Sequence, residues 1–135
     1  MTPKRFCVIG LGYFGQYLAL KLSEAGAEVL AIDRDEDRVD AISDKITYAV
    51  TMDSTDAKTL HSLGLQDMDA VIVAIGEGFE SSILTTAVLQ EIGVKRILNR
   101  ITSPIHERLL KLMSIDELLV PEAEAAAQLA NRLMI

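Results

Sequence analysis

One cysteine, three prolines, no tryptophan and only 4% aromatic residues occur in the 135-residue sequence, and each shortage excludes something. The single thiol, Cys7, forbids a disulfide within the chain, and its place inside the apolar run Phe6-Cys7-Val8-Ile9 reads as a small core residue in a reducing compartment. Positive charge is in deficit: 13 Lys and Arg against 20 Asp and Glu give a net charge of -7 and a pI near 4.7. That balance argues against nucleic acid or an anionic membrane surface as partner, because both reward clustered cations, whereas a small anion held by backbone N–H groups remains compatible with it. No apolar run approaches the roughly 20 residues of a membrane-spanning helix, and Met1 to Arg5 lead into the first apolar run without the features of a secretion signal. Half the residues are apolar and 24% charged, as expected of one globular domain of this length.

What is present is organised around Gly10-Leu11-Gly12-Tyr13-Phe14-Gly15. Three glycines at this spacing are common by chance, but here an apolar strand precedes them, the helical stretch Tyr17 to Leu22 follows, and Asp33 ends the next apolar run, Val29 to Ile32. Gly10 allows a sharp exit from the strand, Gly12 a close approach of backbone to a pyrophosphate, and Gly15 close packing of helix on sheet. The helix start offers unpaired N–H groups and partial positive charge to phosphate, and Asp33 is placed to accept ribose hydroxyls.

The remaining chain alternates strand and helix. Strands are expected at Glu28 to Asp33, Ile46 to Val50, Ala70 to Ile75, Arg96 to Ile101 and Glu117 to Val120. Helices are expected from Asp35, from the Asp53-Ser54-Thr55-Asp56 cap to about Leu63, from Glu80 to Ile92, from Ile105 to Met113, and from about Glu122. This pattern predicts an α/β, Rossmann-like, doubly wound parallel sheet of six strands in order 3-2-1-4-5-6, with residues 1–121 forming the nucleotide-binding domain.

In such a sheet the ligand crosses the carboxyl ends of the strands at the switch point between the first and fourth. That rule collects Gly10, Gly12, Tyr13, Phe14, Gly15, Asp33, Arg34, Asp53, Ser54, Ala74, Ile75, Gly76, Glu77 and Arg100 as candidate site residues. Asp53 and Ser54 either meet an adenine edge or cap the helix that follows; Arg100 either reaches a phosphate or is solvated surface. Asp33 disfavours a ribose 2'-phosphate by like charge, although Arg34 can reach around it, so NADP stays open. His61 and His106, without metal-spaced partners, read as surface residues of their helices. No nucleophile and base fall together near the crevice, which points to binding without catalysis. The alternative is a small NAD(P)-dependent oxidoreductase, or its cofactor half, for which neither proton donor nor substrate pocket is identifiable; an interaction module without ligand is a third class.

Ala123, Ala126, Ala127 and Ala130 form a small apolar stripe on the last helix, suited either to its own sheet or to a second backbone. The chain closes on Leu133-Met134-Ile135 without a cap, so residues 122–135 are expected to begin a helix that continues.

The order of several stretches resembles the N-terminal nucleotide-binding domain of the RCK (KTN) family, cytosolic regulators of potassium channels and transporters, most nearly its KtrA/TrkA type. These stretches are Val8 to Gly15, Glu28 to Asp33, Asp53 to Asp56, Val71 to Gly76, Leu84-Thr85-Thr86 and Val120-Pro121-Glu122. The resemblance implies binding of NAD(H), ATP or ADP, pairing into a homodimer through the last helix, assembly into octameric or other rings beneath an integral-membrane potassium channel or transporter subunit, and a further C-terminal ligand-binding domain. It also implies a cytoplasmic location, peripheral to the inner face of the membrane. Glu122 corresponds to a family acid that approaches the phosphates, sometimes through a divalent cation, from the paired subunit. Where family members often carry Arg, this chain has Tyr13; loss of a charge-assisted hydrogen bond worth about 1.5–3 kcal/mol weakens preference for a triphosphate.

Overall fold

The computed structural model describes residues 2–135. Its strands are β1 (Arg5–Ile9), β2 (Glu28–Asp33), β3 (Tyr48–Thr51), β4 (Ala70–Val73), β5 (Ile97–Arg100) and β6 (Glu117–Leu119). They form one parallel sheet in the order β3-β2-β1-β4-β5-β6, as the alternating pattern predicts. The helices are α1 (Tyr13–Glu24), α2 (Glu36–Ile42), α3 (Ala57–His61), α4 (Phe79–Ile92), α5 (Pro104–Leu112) and α6 (Pro121–Leu133).

The strands read as continuous apolar runs because both faces of the sheet are covered, yet alternation still sorts their side chains. Val8, Val29, Ala31 and Ile72 pack with Leu11, Ala19, Val39 and Ile42 on the α1/α2 side. Cys7, Ile9, Leu30, Ile32, Val71 and Val73 pack with Leu60, Leu65, Val88 and Leu89 on the α3/α4 side. Each Val, Leu or Ile side chain among them, fully buried, contributes about 1.5–3 kcal/mol of transfer free energy. Cys7 lies wholly inside, and burial pushes its thiol pKa up, which keeps it protonated and inert.

Several boundaries fall one or two residues from expectation, and two of them matter here. α3 stops at His61, and a 3-10 turn at Leu65–Asp67 follows left-handed Gly64. β4 ends at Val73: Ala74 still donates its N–H to the Ile9 carbonyl at 2.7 Å, after which the chain leaves the sheet to wall the crevice. None of the residues of α6 is buried, so the alanine stripe does not cover its own sheet.

Candidate functional site

The turn after β1 is shaped by backbone fit. Gly10 has φ of +100°, and a Cβ there would lie 2.9 Å from the Ala74 carbonyl carbon and the Ile75 nitrogen. A Cβ on Gly15 would collide with the Gly10 carbonyl oxygen. Both glycines are therefore required for α1 to start where it does. Gly12 differs: its φ is -66°, an ordinary value, and a Cβ would meet nothing within 4 Å. The protein's own packing does not ask for glycine there.

The space in front of Gly12 is a crevice of about 560 Å³ along the carboxyl ends of the strands. Of the candidate residues, Gly10, Gly12, Tyr13, Asp33, Arg34, Asp53, Ser54, Ala74, Ile75, Gly76, Glu77 and Arg100 line it. Phe14 and Gly15 do not. Phe14 packs instead with the α1/α2-side core, and Gly15 sits under the turn, so either can meet a ligand only through its backbone N–H. As the first turn of a helix, Tyr13, Phe14 and Gly15 have no intrahelical acceptor for those N–H groups, and the helix dipole adds positive character.

Asp33 is 8% exposed and braces the glycine turn: one carboxylate oxygen accepts the Leu11 N–H at 2.7 Å, the other the Asp35 N–H at 2.8 Å. Arg38 Nη1 stands 3.7 Å from the same carboxylate and Nη2 lies 3.4 Å from Glu77, bridging the two walls. A carboxylate has about four lone-pair sites, so Asp33 keeps capacity for two hydroxyl donors. Asp53 accepts the N–H of Thr55 at 2.9 Å and its hydroxyl at 2.7 Å, contacts that hold its carboxyl below the ordinary 3.8. It is Asp56, not Asp53, that caps α3. The Ser54 hydroxyl turns inward to Thr85 Oγ1 at 2.7 Å, leaving its backbone to face the crevice.

Three further polar residues line the crevice that the sequence did not single out: Gln16, Arg38 and Ser81. Arg38 and Gln16 lie on helix faces whose rotation only the packed structure fixes. The single available signal was helical spacing, since Gln16 is one turn beyond Gly12 and Arg38 one turn beyond the Asp35 cap.

Arg100 carries the weight of the β5 end. Its guanidinium lies against Gly76, its side chain is 19% exposed, and it is ion-paired with Glu122. Glu122 thus lies on Arg100 in this chain, and among the described residues no three His, Cys, Asp or Glu side chains gather to hold a metal ion by themselves.

His61 is exposed, as expected, but His106 is fully buried, contrary to the surface placement read from its helix. Its Nδ1 accepts the Thr102 N–H at 3.1 Å, so Nε2 carries the proton and donates to Ser82 Oγ at 2.9 Å. A satisfied neutral imidazole can occupy a core position that the surrounding apolar pattern reserves for no charge. Burial holds its pKa below 6.5.

The sheet order, the glycine turn and the crevice at the strand ends define a Rossmann-like domain. More narrowly, the chain belongs to the TrkA-N domain family, which matches residues 6–121. It is 44% identical over 131 residues to Ktr system potassium uptake protein C of Bacillus subtilis (strain 168), covering 97% of this chain and 59% of that protein. It is 36% identical over 130 residues to Ktr system potassium uptake protein A of the same organism, covering 96% of this chain and again 59% of the relative. The chain therefore spans 59% of the length of these two curated relatives. In fold it is similar to a solved GsuK channel bound to NAD, with a TM-score of 0.75 at 17% identity over 89% of this chain and 22% of that one. Among the described residues, no helix is long and apolar enough to cross a membrane.

Proposed function

We infer that this domain is the nucleotide-sensing part of a regulatory subunit of a potassium channel or transporter, and not an enzyme. The relatives named as potassium uptake proteins favour this over a nicotinamide-dependent oxidoreductase. The observation that carries the reading is Gly12: the fold leaves open space at its Cα where a pyrophosphate needs the backbone bare. The N–H groups of Tyr13, Phe14 and Gly15 would hold the phosphates, Asp33 the ribose hydroxyls, and Asp53 with the Ser54 backbone the adenine edge. The expected ligands are NAD(H) or ATP/ADP, with Tyr13 lowering the preference for ATP.

Regulation follows from unequal fit of ligands to two arrangements of a paired domain, a coupling of typically about 1–3 kcal/mol. The pairing surface in this reading is the exposed alanine stripe of α6, with residues 1–121 as the nucleotide-binding unit and 122–135 as the start of the pairing helix. The pair, or a larger ring built from it, would sit in the cytoplasm against an integral-membrane partner. A divalent cation shared between Glu122 and the phosphates would require Arg100 to release that carboxylate.

Isothermal titration tests the site: NAD(H) or an adenine nucleotide binds, and Gly12→Asp abolishes binding without unfolding the chain. A wild-type chain with affinity for none of them overturns the reading. Analytical ultracentrifugation tests the pairing: at least a dimer is expected, weakened by Ala127→Glu.

A further inference from the structure

We propose that the Arg100–Glu122 ion pair is a latch, opened when an anionic group occupies the far half of the crevice, so that the bound ligand sets the direction of α6. The proposal rests on the crevice being a nucleotide site, as inferred above, and adds how its occupancy leaves the crevice.

The first support is where the pair lies. Arg100 ends β5 and faces both ways: its guanidinium borders the crevice beside Gly76, where an added Cβ would stand 3.4 Å from Nη1, while Nη2 donates to Glu122 Oε2. Its Nε is buried without a partner, so the guanidinium is tied down from the α6 side and not from within the body.

The second support is what the pair holds. Glu122 lies in the first turn of α6, every residue of which is exposed except half-buried Pro121. Among the described residues, this is the only side-chain hydrogen bond or ion pair that joins α6 to the sheet domain. With no buried contact to its own domain, α6 is held to that domain through its first turn, so the latch is placed where a small local change alters the angle at which the helix, and whatever pairs with it, leaves the sheet.

The third support is the direction of the crevice. The sheet order puts Asp33 and Asp53 at the β2/β3 end, and Gly76 and Arg100 at the β4/β5 end, with the glycine turn between. A nucleoside at the first end, with its first phosphate on the α1 start, extends any further phosphate toward Arg100. That phosphate then meets a guanidinium already neutralised by a carboxylate. Two anions on one cation repel, so either Arg100 turns to the phosphate or Glu122 swings out, and both free the first turn of α6. By linkage, the affinity that Glu122 takes from the ligand equals the bias that the ligand places on α6.

The test is isothermal titration of NADH, ADP and AMP into the 135-residue chain, in EDTA so that no shared cation offsets the repulsion. Removing the competing charge with Glu122→Gln should tighten NADH or ADP about two- to fivefold, the worth of a partly exposed ion pair. AMP, with nothing beyond its first phosphate, should change less than either. Arg100→Gln should weaken NADH and ADP, and Glu122→Gln should add nothing in the Arg100→Gln background. Hydrogen exchange at the start of α6 should rise on binding NADH or ADP in the wild type and be already high in Glu122→Gln. Weaker or unchanged binding of both NADH and ADP by Glu122→Gln, or AMP tightened as much as they are, overturns the latch. A wild-type chain that binds none of the three overturns the nucleotide reading itself and the latch with it; binding that Gly12→Asp abolishes but Glu122→Gln ignores overturns the latch alone.

Discussion

The two halves of the sheet present the same plan, strand then turn then helix, and use their polar groups in opposite ways. After β1 the polar groups are main chain: Gly10 N–H is held by the Ile32 carbonyl at 2.8 Å, Leu11 N–H by Asp33, and the α1 start faces the crevice without a side-chain cap. After β4 they are side chains turned inward. α4 buries Ser82, Thr85 and Thr86 completely; Ser82 and Thr86 meet buried Asn99 and His106 from β5 and α5, and Thr85 meets Ser54. Asn99 Nδ2 donates to Thr86 Oγ1 at 2.9 Å, the Thr86 hydroxyl to the Ser82 carbonyl at 2.7 Å, and His106 to Ser82. The first half therefore offers main-chain donors outward, to something not made of protein, while the second consumes most of its own, Asn99 Oδ1 and Arg100 Nε alone among the buried side-chain N and O atoms of the described residues going without a partner. A turn built for a ligand is recognisable by what its backbone leaves open; a turn built for the interior is recognisable by what its side chains close.

Substitutions that respect or violate this division sharpen it. The largest effect is expected from Gly15→Ala, whose methyl falls on the Gly10 carbonyl and should destabilise by about 3 kcal/mol or more in urea unfolding. Gly12→Ala, one turn position earlier, should alter stability by no more than about 0.5 kcal/mol, because the space is open and only the helix start is changed. Equal losses from the two would erase the distinction between a glycine for the fold and a glycine for the ligand.

In the second half, Ser82→Ala removes the partner of His106 Nε2 and should cost about 1–3 kcal/mol by leaving a buried donor unsatisfied, with little change in nucleotide affinity. His106 gives the next prediction, in pH. Its folded pKa lies below its unfolded value, so between the two the unfolded state holds more protons. Its contribution is therefore complete above about pH 6.5 and is lost as pH falls from there toward the folded value, at no more than about 1.4 kcal/mol per pH unit. Urea midpoints measured from pH 7.5 down to 5 should show this decline, and His106→Asn should flatten it. Ser54→Ala strips Thr85 of its partner and should cost about 1 kcal/mol while leaving nucleotide affinity within about twofold. A large loss of affinity there would mean that the Ser54 hydroxyl turns out to the ligand after all.

How far each half was legible follows from the same contrast. The glycine turn, the acid at the end of β2 and the strand order are local or periodic facts: a glycine is needed where φ is positive or a methyl collides, and alternation of elements forces a parallel sheet. Fourteen residues were gathered at the crevice by that logic, and the structure lines the crevice with all of them but Phe14 and Gly15. Arg38 and Gln16 escaped because a helix shows its rotation only when packed. His106 escaped because the partner of its Nε2, Ser82, comes from α4, 24 residues away, and an isolated imidazole on a helix gives no sign of it.

The sequence by itself determined the architecture, since hydrophobic runs of strand and helix length in strict alternation admit few other sheets, and it determined the place of the crevice, since the reversal of strand order fixes it. Tertiary structure alone decided which polar side chains face inward, that Arg100 and Glu122 are partners, and that α6 stands clear of the sheet. Those outcomes depend on distances between residues far apart in the chain, and a pattern of spacing along one strand or helix carries no information about a neighbour from another.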